Sequence, residues 1–394
     1  MARHGLTRRL ALGVAIPAAV VALLPAALAH ADGTPQGGDV VGVGSDLVQY
    51  AVDFGADGDF LGHAGYNSAG NVNRLINFDA TPDGNGRAGY LNGSTLAVQK
   101  PLNPTIVLRA GTFPILRPNG GTTGVNAFLA DTAQEISYVR SPRQPTAAEQ
   151  ALANDTSAGS THNWGGLHVV QIGTDKLQIA VNTASTNAPA GLSPAELVGI
   201  YNGTFTKWNQ LPGNAGGSAD TIIPLIPQNG AGVRTIFLND LKLANGNTAV
   251  TLGSSVLNVE QNDPSVIAAT ANPADAIVPL PFGRDALYDN GYFHDPNVPY
   301  PGGGTVSSNV TLLTGTAPDS ASSYNSVTPL YIWFRQIDAL STTPWQPGST
   351  KNWVKTLFSD PAGTPFFKSN PGKALVAASG ATAAYSDLGI VSTG

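Results

Sequence analysis

The chain has 394 residues, 42% of them apolar and only 12% charged, against ~25% charged in an average globular protein. That length fits two or three domains at roughly 150 residues each, and 46 glycines with 29 prolines make the chain rich in loops. A formal charge of −6 excludes general affinity for nucleic acid or anionic membrane, and the lack of cysteine excludes disulfides, thiolate catalysis, iron–sulfur clusters and a lipid anchor on an N-terminal cysteine.

Arg3, Arg8 and Arg9 precede an uncharged run from Leu10 to Ala29, and Ala29-His30-Ala31 supplies a small-residue cleavage site. This is the layout of a secretory signal over residues 1–31. Its removal takes away three arginines and no acids, which leaves the rest of the chain at −9. The protein is expected to be exported, soluble and monomeric, with no membrane span after cleavage.

Residues 32–38 read as a flexible lead-in. Val40 to Val43 is strand-like, Gly44-Ser45-Asp46 is a tight turn, and Leu47, Val48, Tyr50, Ala51 and Phe54 follow at helical spacing up to Gly55. Leu75 to Phe78 and Thr105 to Arg109 are further strands. Gly120 to Gly124 opens a helix with Val125, Phe128 and Leu129, and Glu135 to Val139 alternates into a strand ending at Arg140-Ser141-Pro142. Residues 144–166 read as a connecting segment. Leu167 to Gln171 and Leu177 to Val181 are two strand runs around Gly173-Thr174. Ser193-Pro194-Ala195-Glu196 is a capping box for a helix that Asn202-Gly203 stops. Thr221 to Pro227 is a strand, and Asn229 to Gly232 leads into a helix carrying Ile236 and Phe237. Ala276 to Leu280 and Thr328 to Phe334 are strands, Thr350 to Phe358 is helical, and a last helix starts near Pro365. Alternating strands and helices predict an α/β architecture with largely parallel sheets.

A recurrence stands out. Strand-like runs end in small, polar or glycine residues at Gly44-Ser45-Asp46, Gly120-Gly121-Thr122-Thr123-Gly124, Arg140-Ser141 and Gly230-Ala231-Gly232-Val233-Arg234-Thr235. A helix N-terminus offers free N–H donors and about half a positive charge, so anions settle there. Ser45, Thr123 and Ser141 read equally well as ordinary helix caps. No G-x-x-x-x-G-K-[ST] or G-x-G-x-x-G nucleotide fingerprint is present. His162, His168 and His294 are widely separated, so no metal or other cofactor is expected. A secreted hydrolase would need a nucleophile with a base, and no G-x-S-x-G or S-x-x-K occurs. The chain is not expected to be an enzyme. Trp208 reads as packing, while Trp164 and Trp333 fit either a core or the flank of a cleft.

The segment Leu192 to Trp208 resembles the L-S-x-x-E-L-x-x-I-Y-x-G-x-x-x-x-W segment of the phosphate-specific solute-binding proteins of ABC transporters. Val43 to Asp46, Gly120 to Gly124, Arg140-Ser141, Pro227 to Phe237 and Ala276 to Phe282 resemble, in order, further family segments. The resemblance implies a two-lobed periplasmic-binding-protein-like α/β fold with a two-stranded hinge. Lobe one would be residues 39–170 and 290–394, and lobe two 171–289. It implies a small anion, phosphate first, held by Gly44, Ser45, Asp46, Gly121, Thr122, Thr123, Arg140, Ser141, Gly230, Ala231, Gly232, Arg234 and Thr235, and an ABC permease as partner. The anion loop departs from the family pattern, with Gln228 for its arginine, Ala231 for its serine and Val233 for its threonine. The same departures fit an alternative, the same fold with a changed or lost ligand in an extracellular surface or matrix protein.

Overall fold

The computed structural model describes residues 35–80, 105–293 and 307–393. The expected signal and the glycine-rich stretch Pro301 to Gly304 lie outside the described residues. The chain begins β1 (Val40–Gly44), α1 (Gln49–Asp57), β2 (Leu75–Asn77), β3 (Thr105–Ile106), β4 (Ile115–Leu116), α2 (Gly121–Ala130), β5 (Tyr138–Ser141) and α3 (Ala147–Ala153). It continues β6 (Leu167–Asn182), α4 (Pro194–Tyr201), β7 (Ile223–Pro227), α5 (Gly232–Ala244), β8 (Leu257–Val259), α6 (Ser265–Ala268), β9 (Ala276–Pro281) and α7 (Phe282–Asp289). β10 (Val310–Leu312), β11 (Ser326–Arg335), α8 (Gln336–Leu340), α9 (Trp353–Leu357), α10 (Asn370–Ala378) and β12 (Thr382–Ile390) complete it.

The two strand runs expected around Gly173-Thr174 are one strand of 16 residues, β6. Glycine does not break it, because its neighbours hold it from both edges: Gly173 pairs with Leu330 of β11 and Ala383 of β12. Helix α1 likewise runs through Gly55, where the ring of Phe367 occupies the space a Cβ would need, 2.5 Å from its Cζ. The connecting segment 144–166 contains α3, started by a reciprocal box in which Thr146 Oγ1 accepts from Glu149 N and Glu149 accepts from Thr146 N. The strand expected at Thr105 to Arg109 shrinks to the two residues of β3, paired with β4.

The main sheet runs β2-β1-β5-β11-β6-β9-β7-β8, with β10 and β12 also paired to β6. Its flanks are parallel, β2, β1 and β5 on one side and β9, β7 and β8 on the other. The centre is antiparallel: β5 to β11, β11 to β6, and β6 to β9. β6 and β11 cross from one lobe to the other and form the two-stranded hinge. Alternation along the strands builds a core on each face. In lobe one, Val40, Tyr138, Ile332 and Phe334 pack with Phe358 and Phe367 on one face. Val41, Val43, Val139 and Trp333 pack with Phe128 and Trp164 on the other. In lobe two, Leu177 and Ile179 meet Leu197, Ile200 and Phe237, while Ala180 and Val278 meet Val266 and Ile267. Val310, Leu313 and Tyr324 also pack into the second pair of cores. These three residues thus touch lobe-two cores although they fall in the span expected for lobe one.

Asp175 lies on the hinge strand, buried, with Oδ1 accepting from Gly283 N at 3.0 Å and Lys176 N at 2.6 Å. Burial outweighs those bonds and pushes its carboxyl up to about 6. The folded protein thus holds this proton more tightly than the unfolded chain, whose Asp titrates near ~3.9. The contribution is present in full below about pH 4 and is lost as pH rises through 6, about 3 kcal/mol in total. Asp175→Asn keeps an acceptor for Gly283 N and removes the titration. Urea unfolding at steps between pH 4 and 7 should show that slope in the parent and its loss in the variant; equal slopes refute the assignment. Gly42→Ala should lose about 1–3 kcal/mol by overpacking in the same assay, because its Cβ would overlap the buried ring of Tyr138.

Candidate functional site

The four glycine and hydroxyl turns meet at one place between the lobes. Helix α2 from lobe one and α5 from lobe two point their N-termini at each other, and neither Gly120 nor Ala231, the residues at those ends, caps its helix with a side chain. Gly120 at φ 117° and Gly230 at φ 88° adopt backbone that other residues avoid, and this brings the lobes into direct contact. A Cβ on Gly120 would lie 2.6 Å from Gly230 O, and Thr122 N donates to that oxygen at 3.3 Å. A Cβ on Gly232 would lie 3.3 Å from Ser45 Oγ and 2.7 Å from Pro142 Cγ. The amides of Gly121, Thr123, Gly232, Val233 and Arg234 have no acceptor among the described residues. Ser45 is 1% exposed and its hydroxyl caps nothing. The space between the turns is a cavity of about 20 Å³ that Thr122, Ser141, Gly232 and Thr235 help to line, room for about one water.

The charged residues named from the sequence do other work. Arg140 is fully buried inside lobe one. Its Nε donates to Ser45 O at 3.0 Å, Nη2 to Gly44 O at 3.0 Å and Phe78 O at 2.9 Å, and Nη1 to Asn77 Oδ1. Burial lowers its pKa, and four of its five N–H donors are held within lobe one. It shapes the Gly44-Ser45 turn from behind, which corrects the expectation that it grips the anion. Arg234 turns away along lobe two, with Nη1 donating to Pro227 O and Asn258 Oδ1, both at 2.7 Å. Thr123 Oγ1 donates to Gly120 O and Thr235 Oγ1 to Ala231 O. Ser141 Oγ accepts from Arg143 N at 3.2 Å and donates to Arg143 O at 2.9 Å, closing its own turn. Arg143, beside the cavity, is held by both oxygens of Glu149 at 2.7 Å. Gly44, Ser45, Gly121, Thr122, Gly230, Ala231 and Gly232 stand at or beside the meeting point, and Ser141 and Thr235 line it with hydroxyls already bonded within their own turns. Trp164, Trp208 and Trp333 are core residues, each at most 1% exposed.

Asp46 also departs from expectation, since its carboxylate faces Arg284 with Nη2 at 3.1 Å from Oδ1 and 3.0 Å from Oδ2. The Arg284 guanidinium stacks over Tyr50 at 4.6 Å. Sequence reading missed Arg284 and a buried polar seam around it: Asn119 accepts from Gln261 Nε2 at 2.7 Å and from Gln228 Nε2 at 3.4 Å. Gln228, noted only as a lost arginine, thus binds across the cleft. Asn119 lies 109 positions from Gln228 and 142 from Gln261, and no spacing rule links them. Their one local signal was Glu260-Gln261-Asn262-Asp263, four polar residues directly after Val259.

Among the described residues, no group of three His, Asp or Glu is arranged to hold a metal, and no helix is long and apolar enough to cross a membrane. A search of curated proteins finds no match. Among solved structures, the chain is similar to an ABC-type phosphate transport receptor from Vibrio cholerae, at 16% identity and a TM-score of 0.47, covering 88% of this chain and 100% of that one. It is also similar to a putative phosphate ABC transporter substrate-binding protein from Clostridium perfringens, at 12% identity and a TM-score of 0.49, covering 88% and 99%. The family model described as the PBP superfamily domain matches residues 107–359, a span that includes the hinge strand β6, both opposed helices and the whole of 171–289. The two-lobed α/β sheet and the extent of that match lead to one conclusion: the chain belongs to the PBP superfamily.

Proposed function

We propose that the protein is an exported solute-binding protein that captures a small oxyanion, phosphate or a close relative, between its lobes and delivers it to an ABC permease. The observation that carries this reading is the opposition of two uncapped helix N-termini from different lobes, with the buried Ser45 hydroxyl beside them. Each end contributes about half a positive charge and free N–H donors. The anion is therefore recognised by backbone amides and hydroxyls, without a guanidinium, since Arg140, Arg143 and Arg234 are engaged elsewhere. A cavity of about 20 Å³ is smaller than such an anion, so entry and binding require the β6–β11 hinge to open slightly.

The direct seating of Gly120 on Gly230 favours a second reading, in which the fold has exchanged or lost its ligand and acts at the extracellular surface. Titration calorimetry of the purified chain with phosphate, sulfate and sugar phosphates separates the two. The first reading predicts a dissociation constant near micromolar, about −8 kcal/mol. Ser45→Ala should then weaken binding about tenfold by removing one hydroxyl donor, while Arg234→Ala leaves it unchanged. Silence toward every anion from folded, ligand-free protein overturns the first reading and favours the second.

A further inference from the structure

Two consecutive residues of one lobe-two loop reach two different ligand turns of lobe one. The loop leaves β8 and enters α6, and Val259, Val266 and Ile267 anchor both ends in the same core. Gln261 Nε2 donates to Asn119 Oδ1 at 2.7 Å, just ahead of Gly120-Gly121. Asn262 Nδ2 donates to Asp46 Oδ2, just behind Ser45. The Asn262 carbonyl accepts from Arg284 Nη1 at 3.1 Å, and Arg284 Nη2 returns to Asp46, so three residues close a buried ring. Asn119, Gln261, Asn262, Asp46 and Arg284 are each at most 6% exposed.

Asn262 is held there at a cost. Its φ is 55°, in the left-handed region, and its Oδ1 is buried without a hydrogen-bond partner. Strain of that kind persists where surrounding contacts over-determine it, and the contacts here are those that join the lobes.

We propose that Asn262, assisted by Gln261, is a positioning residue that clasps the lobes shut and links the Ser45 turn to lobe two. For its effect on ligand affinity this rests on the oxyanion reading above; the clasp itself does not. Binding opens the hinge slightly around the anion while the clasp is kept, so the fraction of bound molecules that hold the clasp sets how slowly the anion leaves. Losing the Asn262 carboxamide removes one hydrogen bond to a charged group, which should lower the closed-to-open ratio about tenfold.

Asn262→Gly isolates that loss, because glycine takes φ 55° freely and keeps the carbonyl for Arg284. Small-angle scattering of the purified, ligand-free chain should give a larger radius of gyration for the variant than for the parent. Amide exchange at residues 44–46 and 119–123 should quicken about tenfold. With phosphate as probe, dissociation should speed up by a similar factor, while the melting temperature stays within a few degrees of the parent. Asn262→Asp, which sets a second carboxylate against Asp46, should open the protein at least as far. Scattering and exchange equal to the parent's in both variants overturn the clasp, as does a fall in melting temperature with both unchanged, since that marks a merely structural role. A parent that binds neither phosphate nor sulfate overturns the oxyanion reading instead, and scattering and exchange then decide the clasp alone.

Discussion

The joining of the two lobes into one sheet depends on one strand. β6 is 16 residues long and pairs with β11, β12, β9 and β10 in turn. Its first half belongs to the sheet of lobe one and its second half to that of lobe two. The strand alternates, so each half gives side chains to both faces and feeds four cores at once. A break at Gly173-Thr174 would uncouple the lobes. Pairing on both edges prevents it, and the small side chain lets Thr382 O come within 2.9 Å of where a Cβ would stand. The hinge is therefore a continuous ladder whose register shift, between Leu330 and Tyr331, falls near the crossing point.

From that frame follows the character of the site. β1 and β5 end side by side, with Gly44 opposite Arg140, and the buried guanidinium ties the Gly44, Ser45 and Phe78 carbonyls into one rigid turn. A charge so enclosed is stabilised by the carbonyl dipoles around it and has no surface to present. The charged side chains are thus spent on shaping backbone, and the donors at the meeting point are amides and hydroxyls. Opposed helix ends suit an anion without fixing which one, because N–H groups read charge and size more than identity.

Much of the local structure was legible. The Ser193–Glu196 box formed as its spacing required, with bonds of 3.0 and 3.1 Å, since both partners lie within one turn. The glycine turns before α2 and after β7 were also visible, because only glycine fits their positive φ. Arg140 and Arg234 were misplaced for a different reason. An arginine beside a glycine turn has the same sequence whether its guanidinium points into the cleft or back into its own lobe. Carbonyl groups brought together by the sheet made that choice, as at Phe78, 62 residues away.

The sequence alone determined the class of fold, many of its strands and helices, the segments that turn at glycine and the family resemblance. Those depend on periodicity, capping and backbone sterics, which act within a few residues. Tertiary structure alone decided that β6 is continuous, that Val310, Leu313 and Tyr324 touch lobe-two cores, that Arg140 is structural, and that Asp46 meets Arg284 and Asn262 across 238 and 216 positions. Contacts of that span leave no periodic trace in a chain. They exist only after the sheet has brought distant carbonyls, carboxylates and amides into the same buried space, where each must find a partner.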